Sequence, residues 1–340
     1  MRPHGSVHSR RRFLRRAAVL PFLLSGRIAR ADEDPLPSWN EGPSKRAVLD
    51  FARESTTPGG PGFVPVDERI AVFDNDGTLW CEQPIYTQVQ FAFARVKALE
   101  SKHPEWKAEE PFRSIVSGDR EAMVKFTVQD FERVIAATHA GMTQEEFLGI
   151  VRDWLATARH PRFKRPYTEL VYQPMLELMR LLRSRGFRTY IVTGGGQEFV
   201  RVFAERVYGV PPGQVIGSAC KMTYGYARDG APVLLRTPSV LLLDDKGGKP
   251  EGINLVIGRR PCAAFGNSTG DRQMLEWTQA GPGPRLMMLV HHDDPAREYA
   301  YGEGSPVGTF SADLMAEAKS RGWSVIGMKD DWKRVFPFES

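Results

Sequence analysis

From Pro174 to the C-terminus the chain alternates short, unbroken apolar runs with helical patterns, and this alternation restricts its fold more than any other feature. "FRTYIV", "VLLL" (240–243), "CAAF" and "RLMMLV" are too short for helices and too uniformly apolar for strands with one wet face. Such runs belong to the strands of a parallel sheet covered by helices on both sides. "IAVF" (70–73) has the same texture further upstream. "PMLELMRLLRSRG" is a helical pattern with Pro174 near its start and Gly186 past its end. Further helices are expected over "EFVRVFAERVYG", from about Pro250, and from Asp271. "YGYARDGAPVLLR" reads as a hairpin turning at Asp229-Gly230. The expected core is α/β: a doubly wound, Rossmann-like parallel sheet.

A long helical region comes after the first run. "YTQVQFAFARVKALESK" has helical apolar spacing, "EAMVKFTVQDFERVIAATHAG" ends on Gly141, and "TQEEFLGIVRDWLATAR" opens with Thr143 and Glu146, a capping-box pair. No strand-like run interrupts residues 84–173. A helical cap over residues 83–173, inserted after the first strand, would divide the core into 69–82 and 174–340. Trp80, Phe91 and Phe93 read as cap core. Residues 32–68 form a Pro/Gly-punctuated lead-in with a short helical pattern near Ser44–Glu54.

The formal net charge of +5 is uneven. Residues 1–31 hold eight arginines, no lysine and no acid; without them 38 basic residues face 41 acidic ones. The basicity therefore implies no nucleic-acid partner. Arginines, an apolar segment from Ala17 to Leu24, and Ala29-Arg30-Ala31 make up an export signal with an A-x-A cleavage site. Ser9-Arg10-Arg11-Arg12-Phe13-Leu14 resembles the twin-arginine signal, which implies the twin-arginine export machinery as a targeting partner and a periplasmic product from about Asp32. The apolar segment is shorter than the roughly 20 residues a bilayer requires, so no stable membrane anchor is expected. Cys81, Cys220 and Cys262 have no metal-like spacing, and their pairing is left open.

The chemistry lies in the residues at the carboxyl end of each apolar run. In an open parallel sheet, ligands bind beyond the carboxyl ends of the strands. After "IAVF" come Asp74 and Asp76; after "TYIV", Thr193; after "VLLL", Asp244 and the lysines 246 and 249; after "CAAFG", Asn267 and Asp271. These groups are expected at one rim. Adjacent carboxylates repel one another. Two of them, with a third and an amide from another strand, form an oxygen-rich cage suited to Mg²⁺. Lysine, hydroxyl and glycine N–H groups suit a phosphate. Pro250 fits a first helical position, which favours Lys249 over Lys246 as the lysine at that helix. Asp244 and Asp245 read as a solvated strand end, or either as a group supporting the site's ligands from behind.

The order D-x-D-G-T after a strand, Thr after a second, Lys before a helix and G-N-S-x-G-D after a further strand resembles the haloacid dehalogenase superfamily, over roughly residues 69 to 295. Its phosphatases, including phosphoserine phosphatases, are the best match. The resemblance implies that Asp74 is a nucleophile forming an aspartyl-phosphate and that Asp76 is the general acid and then base. It further implies that Thr193, the Gly194 N–H and Lys249 hold the phosphoryl group. Asp74, the Asp76 carbonyl, Asn267 and Asp271 would ligate Mg²⁺. The implied substrate is a small phosphomonoester.

Two positions depart from that pattern. Asn267 replaces the usual aspartate, which removes a charge from the metal site. Gln83 stands where phosphoserine phosphatases carry a glutamate for the substrate amino group, with Glu82 one residue earlier. A phosphotransferase or mutase would use the same residues, and a catalytically inactive periplasmic binding protein is a reading from another class. "VHHDD" (His291 to Asp294) reads as an ordinary strand end. "ARHPRF", with Arg159, His160 and Arg162, reads either as a solvated helix end or as cations for a substrate's distal anion.

Overall fold

The computed structural model describes residues 34–339; the export signal expected over residues 1–31 lies outside them. Seven strands form one sheet in the order β4-β3-β2-β1-β5-β6-β7. They are β1 (Ile70–Phe73), β2 (Arg188–Gly196), β3 (Val215–Tyr226), β4 (Pro232–Leu242), β5 (Ala263–Gly266), β6 (Leu286–His291) and β7 (Ser324–Gly327). Every neighbouring pair is parallel except β3–β4.

Strand β1 lies at the centre, with β2 on one side and β5 on the other. Its four residues are all buried because successive side chains enter different cores. Ala71 and Phe73 join the larger cluster with Phe265, Met288 and the helix Gln173–Ser184, whereas Ile70 and Val72 join Val192, Ala264 and Leu289 on the opposite face. Full burial of such a side chain contributes roughly 1.5–3 kcal/mol. Phe73 also stacks on Phe265 across the β1–β5 pair, with centroids 4.4 Å apart.

The run "VLLL" differs from expectation. It ends the antiparallel β3–β4 hairpin, and Val240, Leu241 and Leu243 are exposed. An apolar run does not reveal whether helices cover it. The hairpin itself turns through Asp229-Gly230, where Gly230 has φ +84. "EFVRVFAERVYG" forms two helices, Gln197–Arg201 and Ala204–Tyr208, because Val202 and Phe203 make i→i−3 bonds between them.

The insert carries the helices Thr87–Leu99, Val128–His139 and Gln144–Thr157, the last opened by the Thr143–Glu146 capping box. It is not helical throughout. Prolines 104, 111, 161 and 166 punctuate it, and residues 158–166 are irregular. Its far end closes on β1's loop: Tyr172 N donates to Leu79 O at 2.9 Å, and Cys81 N to Leu170 O at 3.0 Å. Phe91 packs on Phe147, Trp154 and Phe199, and Phe93 on Phe126 and Phe131. The hairpin grips the insert through Arg236, whose Nε donates to His139 O and whose Nη1 donates to Gln144 Oε1, both at 2.8 Å.

The helix Pro43–Thr56 buries Val48, Phe51 and Ala52 in the larger core. The three cysteines are free; Cys81 and Cys262 are buried and Cys220 is partly exposed. Among the described residues, no helix is long and apolar enough to cross a membrane.

Candidate active site

Asp74 follows β1 directly, and its backbone N–H donates to Phe265 O at 2.9 Å, so the strand tip is tied to β5. The chain then turns back on itself. Asn75 O accepts from Leu79 N at 2.8 Å, and Gly77 N donates to Trp80 O at 2.9 Å. Gly77 adopts φ +74, and a Cβ there would collide with Asn267 Nδ2 and Glu82 Oε1. Glycine is required at this turn on both counts.

Lys249 Nζ donates to Asp74 Oδ1 and Asp271 Oδ1, each at 2.6 Å, and to Val192 O at 3.0 Å. It sits on the first turn of the helix Gly248–Ile257 and is buried. Lys246 instead lies exposed in the left-handed region, with φ 51. Asp271 is engaged at both oxygens, because Oδ2 accepts from Asn267 N at 2.9 Å and Ser268 N at 3.0 Å. Thr193 is fully buried and its Oγ1 accepts from Gly195 N at 3.0 Å. A Cβ on Gly195 would lie 3.6 Å from Asp76 Oδ2 and 3.3 Å from Thr193 Oγ1. One on Gly194 would face Asp244 and Asp245 instead.

Asp76 keeps partial solvent contact, whereas Asp74 is 6% exposed. Trp80 Nε1 donates to Asp76 Oδ1 at 2.8 Å, and the Trp80 ring stacks on Phe203. Dense surroundings still raise the Asp76 carboxyl, against the bonds from Trp80 and Asn75. Burial raises Asp74 well above the ordinary carboxylate range, Asp271 adds to this, and Lys249 opposes it. Burial alone would lower the Lys249 ammonium; Asp271 and Asp74 outweigh it and hold the group charged.

Asn267 Oδ1 accepts from Thr78 Oγ1 at 3.2 Å, while its Nδ2 donates to Glu82 Oε1 at 2.7 Å. Asp74, Glu82 and Asp271 are buried, Asp76 is partly so, and Lys249 is the ammonium acting on Asp74, Asp76 and Asp271. A pocket with this surplus of carboxylate fits a hard divalent cation. Among the described residues, no three His, Cys, Asp or Glu side chains are grouped to hold an ion by themselves. A cation here would therefore also use the Asp76 carbonyl, the Asn267 amide and water, as Mg²⁺ commonly does.

A description of the haloacid dehalogenase-like hydrolase family matches residues 71–276. The chain belongs to that family. No curated protein matches it. Among solved structures, a functionally unknown protein from Anaerococcus prevotii DSM 20548 is 14% identical with a TM-score of 0.55, covering 86% of this chain and 94% of that one. A protein of unknown function from Bordetella pertussis Tohama I is 18% identical with a TM-score of 0.47, covering 77% and 99%. A phosphoserine phosphohydrolase-like protein from Francisella tularensis subsp. tularensis SCHU S4 is 17% identical with a TM-score of 0.34, covering 65% and 87%.

Several side chains around this haloacid dehalogenase-like site differ from their reading in the sequence. Asp244 is not solvated: it is fully buried and neither carboxyl oxygen has a hydrogen-bond partner of normal geometry. Burial pushes its pKa up to about 7, with Lys249 and the Thr193 N–H opposing. His292 is buried; its Nε2 bonds Gly77 O at 2.8 Å and its Nδ1 bonds Glu298 Oε2 at 3.0 Å. A local pattern in the sequence does not disclose this contact, which spans 215 residues. His291, one residue earlier, points to the other face and is partly exposed.

Arg162 is bound to the carbonyls of Pro295, Ala296 and Glu298 and lies over Tyr299, so it braces that loop. His160 Nε2 bonds Gln83 O at 2.7 Å, and Arg159 caps carbonyls at the end of its own helix. Gln83 Nε2 is occupied by Ser305 Oγ and Val307 O.

Proposed function

We propose that this haloacid dehalogenase-like hydrolase is a Mg²⁺-dependent phosphomonoester hydrolase working through an aspartyl-phosphate on Asp74. The observation that carries the reading is the division of labour at the tip of β1. Asp74 is buried and gripped by Lys249, whereas Asp76, two residues on, stays partly exposed and takes no hydrogen bond from that ammonium. A nucleophile needs the first environment and a general acid the second.

Lys249 holds Asp74 Oδ1, leaving Oδ2 to attack phosphorus. As the new P–O bond forms, the ester P–O bond breaks and Asp76 gives its proton to the departing oxygen. Water then attacks the same phosphorus, Asp76 takes its proton, and phosphate departs with Asp74 restored. Thr193 Oγ1 and the Gly194 N–H would hold phosphoryl oxygens. Asp74, the Asp76 carbonyl, Asn267 and Asp271 would hold Mg²⁺, directly or through water. When bound, the ion supplies neutralising charge and orients the phosphoryl group.

The buried position of Asp74 beneath the insert favours small phosphorylated metabolites over protein substrates. Gln88 of the insert closes on β2's tip, its Oε1 accepting from Gly196 N at 2.6 Å. Gln83 Nε2 is engaged by the 305–307 loop, so toward a substrate ammonium group this side chain offers at most the neutral amide oxygen in place of a carboxylate.

The test is a screen of residues 32–340 against phosphorylated amino acids, sugars and nucleotides, with Mg²⁺ and with chelator. Mg²⁺-dependent phosphate release lost in Asp74→Asn supports the proposal; unchanged release in that variant contradicts it. We further propose export by the twin-arginine route. In cell fractionation, the Arg10→Lys/Arg11→Lys chain should remain in the cytoplasm while the parent reaches the periplasm.

A further inference from the structure

Glu82 has no part in the catalytic cycle of Asp74 and Asp76, yet it is among the most deliberately accommodated side chains near the site. It is 2% exposed. Its Oε1 accepts from Asn267 Nδ2 and from Tyr301 OH, both at 2.7 Å. Two glycines make room for that oxygen: a Cβ on Gly77 or on Gly308 would collide with it, and both residues have positive φ. A buried carboxylate is costly unless something repays it. Tyr301 and the Asn267 amide solvate it only in part, and Asp76 and Asp74 add repulsion to the burial that already raises it.

The Asn267 contact gives this carboxylate a purpose. Glu82 Oε1 accepts from Asn267 Nδ2, so the edge of the amide facing Glu82 is the NH₂ edge. The Thr78 hydroxyl donates to the other edge. Together the two contacts hold the amide in one orientation, with Nδ2 against Gly77 and Glu82 and Oδ1 on the Thr78 side. An amide oxygen carries no formal charge, whereas the side chain that meets this amide is an acid.

Resting on the Mg²⁺ reading of the site, we propose that Glu82 is a positioning residue for the divalent cation: it orients the Asn267 amide and supplies the negative charge that an asparagine lacks at that site. The pair Glu82–Asn267 thus replaces a single aspartate ligand. Outer partners of metal ligands typically alter affinity by about 10–100-fold.

The experiment is calorimetric titration of the substrate-free protein, residues 32–340, with Mn²⁺ and Mg²⁺. Glu82→Gln retains the shape and both hydrogen-bond acceptances while removing the charge, and should weaken binding by about tenfold or more. The charge-transposed variant Glu82→Gln/Asn267→Asp should bind more tightly than Glu82→Gln and approach the parent's Kd. An unchanged Kd in Glu82→Gln, or a double variant no tighter than Glu82→Gln, overturns the assignment while leaving the phosphatase reading intact. A parent that binds neither ion at millimolar concentration overturns the metal reading and this assignment with it.

The single variant Asn267→Asp gives a second readout that does not need Glu82→Gln to fold. It places two carboxylates against each other, so its metal-free melting temperature should fall and its gain on adding Mn²⁺ should exceed the parent's. An equal gain contradicts the proposal.

Discussion

Lys249 Nζ lies 2.6 Å from Asp74 Oδ1, although 175 residues separate them along the chain. The same nitrogen is 2.6 Å from Asp271 Oδ1, so one buried ammonium neutralises two strand tips. Removing one member of a buried ionic group typically costs about 3–5 kcal/mol. Lys249→Met should therefore lower stability by about that amount at pH 8. Without the ammonium, the Asp74 carboxyl, already raised by burial, rises further. The variant should regain stability as pH falls and Asp74 takes up a proton, and lose it as pH rises. Urea denaturation at pH 5 and pH 8 measures the difference.

Trp80 donates its indole N–H to Asp76 and so favours the charged carboxylate. Trp80→Phe keeps the ring stacked on Phe203 and removes that donor, so the Asp76 pKa should rise. A general acid fails as pH rises through its pKa. The alkaline limb of the kcat profile should accordingly move to higher pH in Trp80→Phe. A profile shifted to lower pH would contradict the assignment of Asp76.

Asp244 offers a test on stability alone. Its pKa is pushed up to about 7 from an ordinary 3.8, so between those values the folded chain binds a proton that the unfolded chain does not. Stability from this group is present at low pH and is lost as pH rises through about 7. Asp244→Asn should melt higher than the parent at pH 8 and close to it at pH 4. Thermal denaturation across that range reports the crossover.

The buried His292–Glu298 pair holds the turn after Asp76 from below. Burial would raise the Glu298 carboxyl, but His292, with Cys81 and the Tyr299 N–H, outweighs it and holds the group below its usual range. His292→Ala should cost about 3 kcal/mol, since it removes the Gly77 contact and leaves the buried Glu298 carboxyl without its imidazole partner. A depressed carboxylate contributes stability above its unfolded pKa, so the parent's advantage over His292→Ala should shrink as pH falls below about 4.5. Urea midpoints at pH 4 and pH 7 give the comparison.

The parts of this site readable in the sequence are those set by local order. "IAVFDND" places two acids at a strand tip because four apolar residues precede them; "TYIV" brings Thr193 to the same end of the sheet, although β2 runs on through the three glycines to Gly196. Lys249 is distinguishable from Lys246 through Pro250, although the helix begins earlier, at Gly248. The contacts that escape such a reading are long-range pairs without a local signature. His292 meets Gly77 across 215 residues, and Glu82 meets Asn267 across 185. "VLLL" misleads for a different reason. Its apolar character suits a buried strand, but what covers a strand is decided by the distant helices, and here they leave it open.

Mass spectrometry of acid-quenched protein tests the central claim most directly. Residues 32–340 mixed with p-nitrophenyl phosphate and Mg²⁺ should show one added phosphoryl group, mapped by proteolysis to the peptide containing Asp74 and missing in Asp74→Asn. Phosphate release without any such adduct, or an adduct on another residue, would contradict Asp74 as the nucleophile.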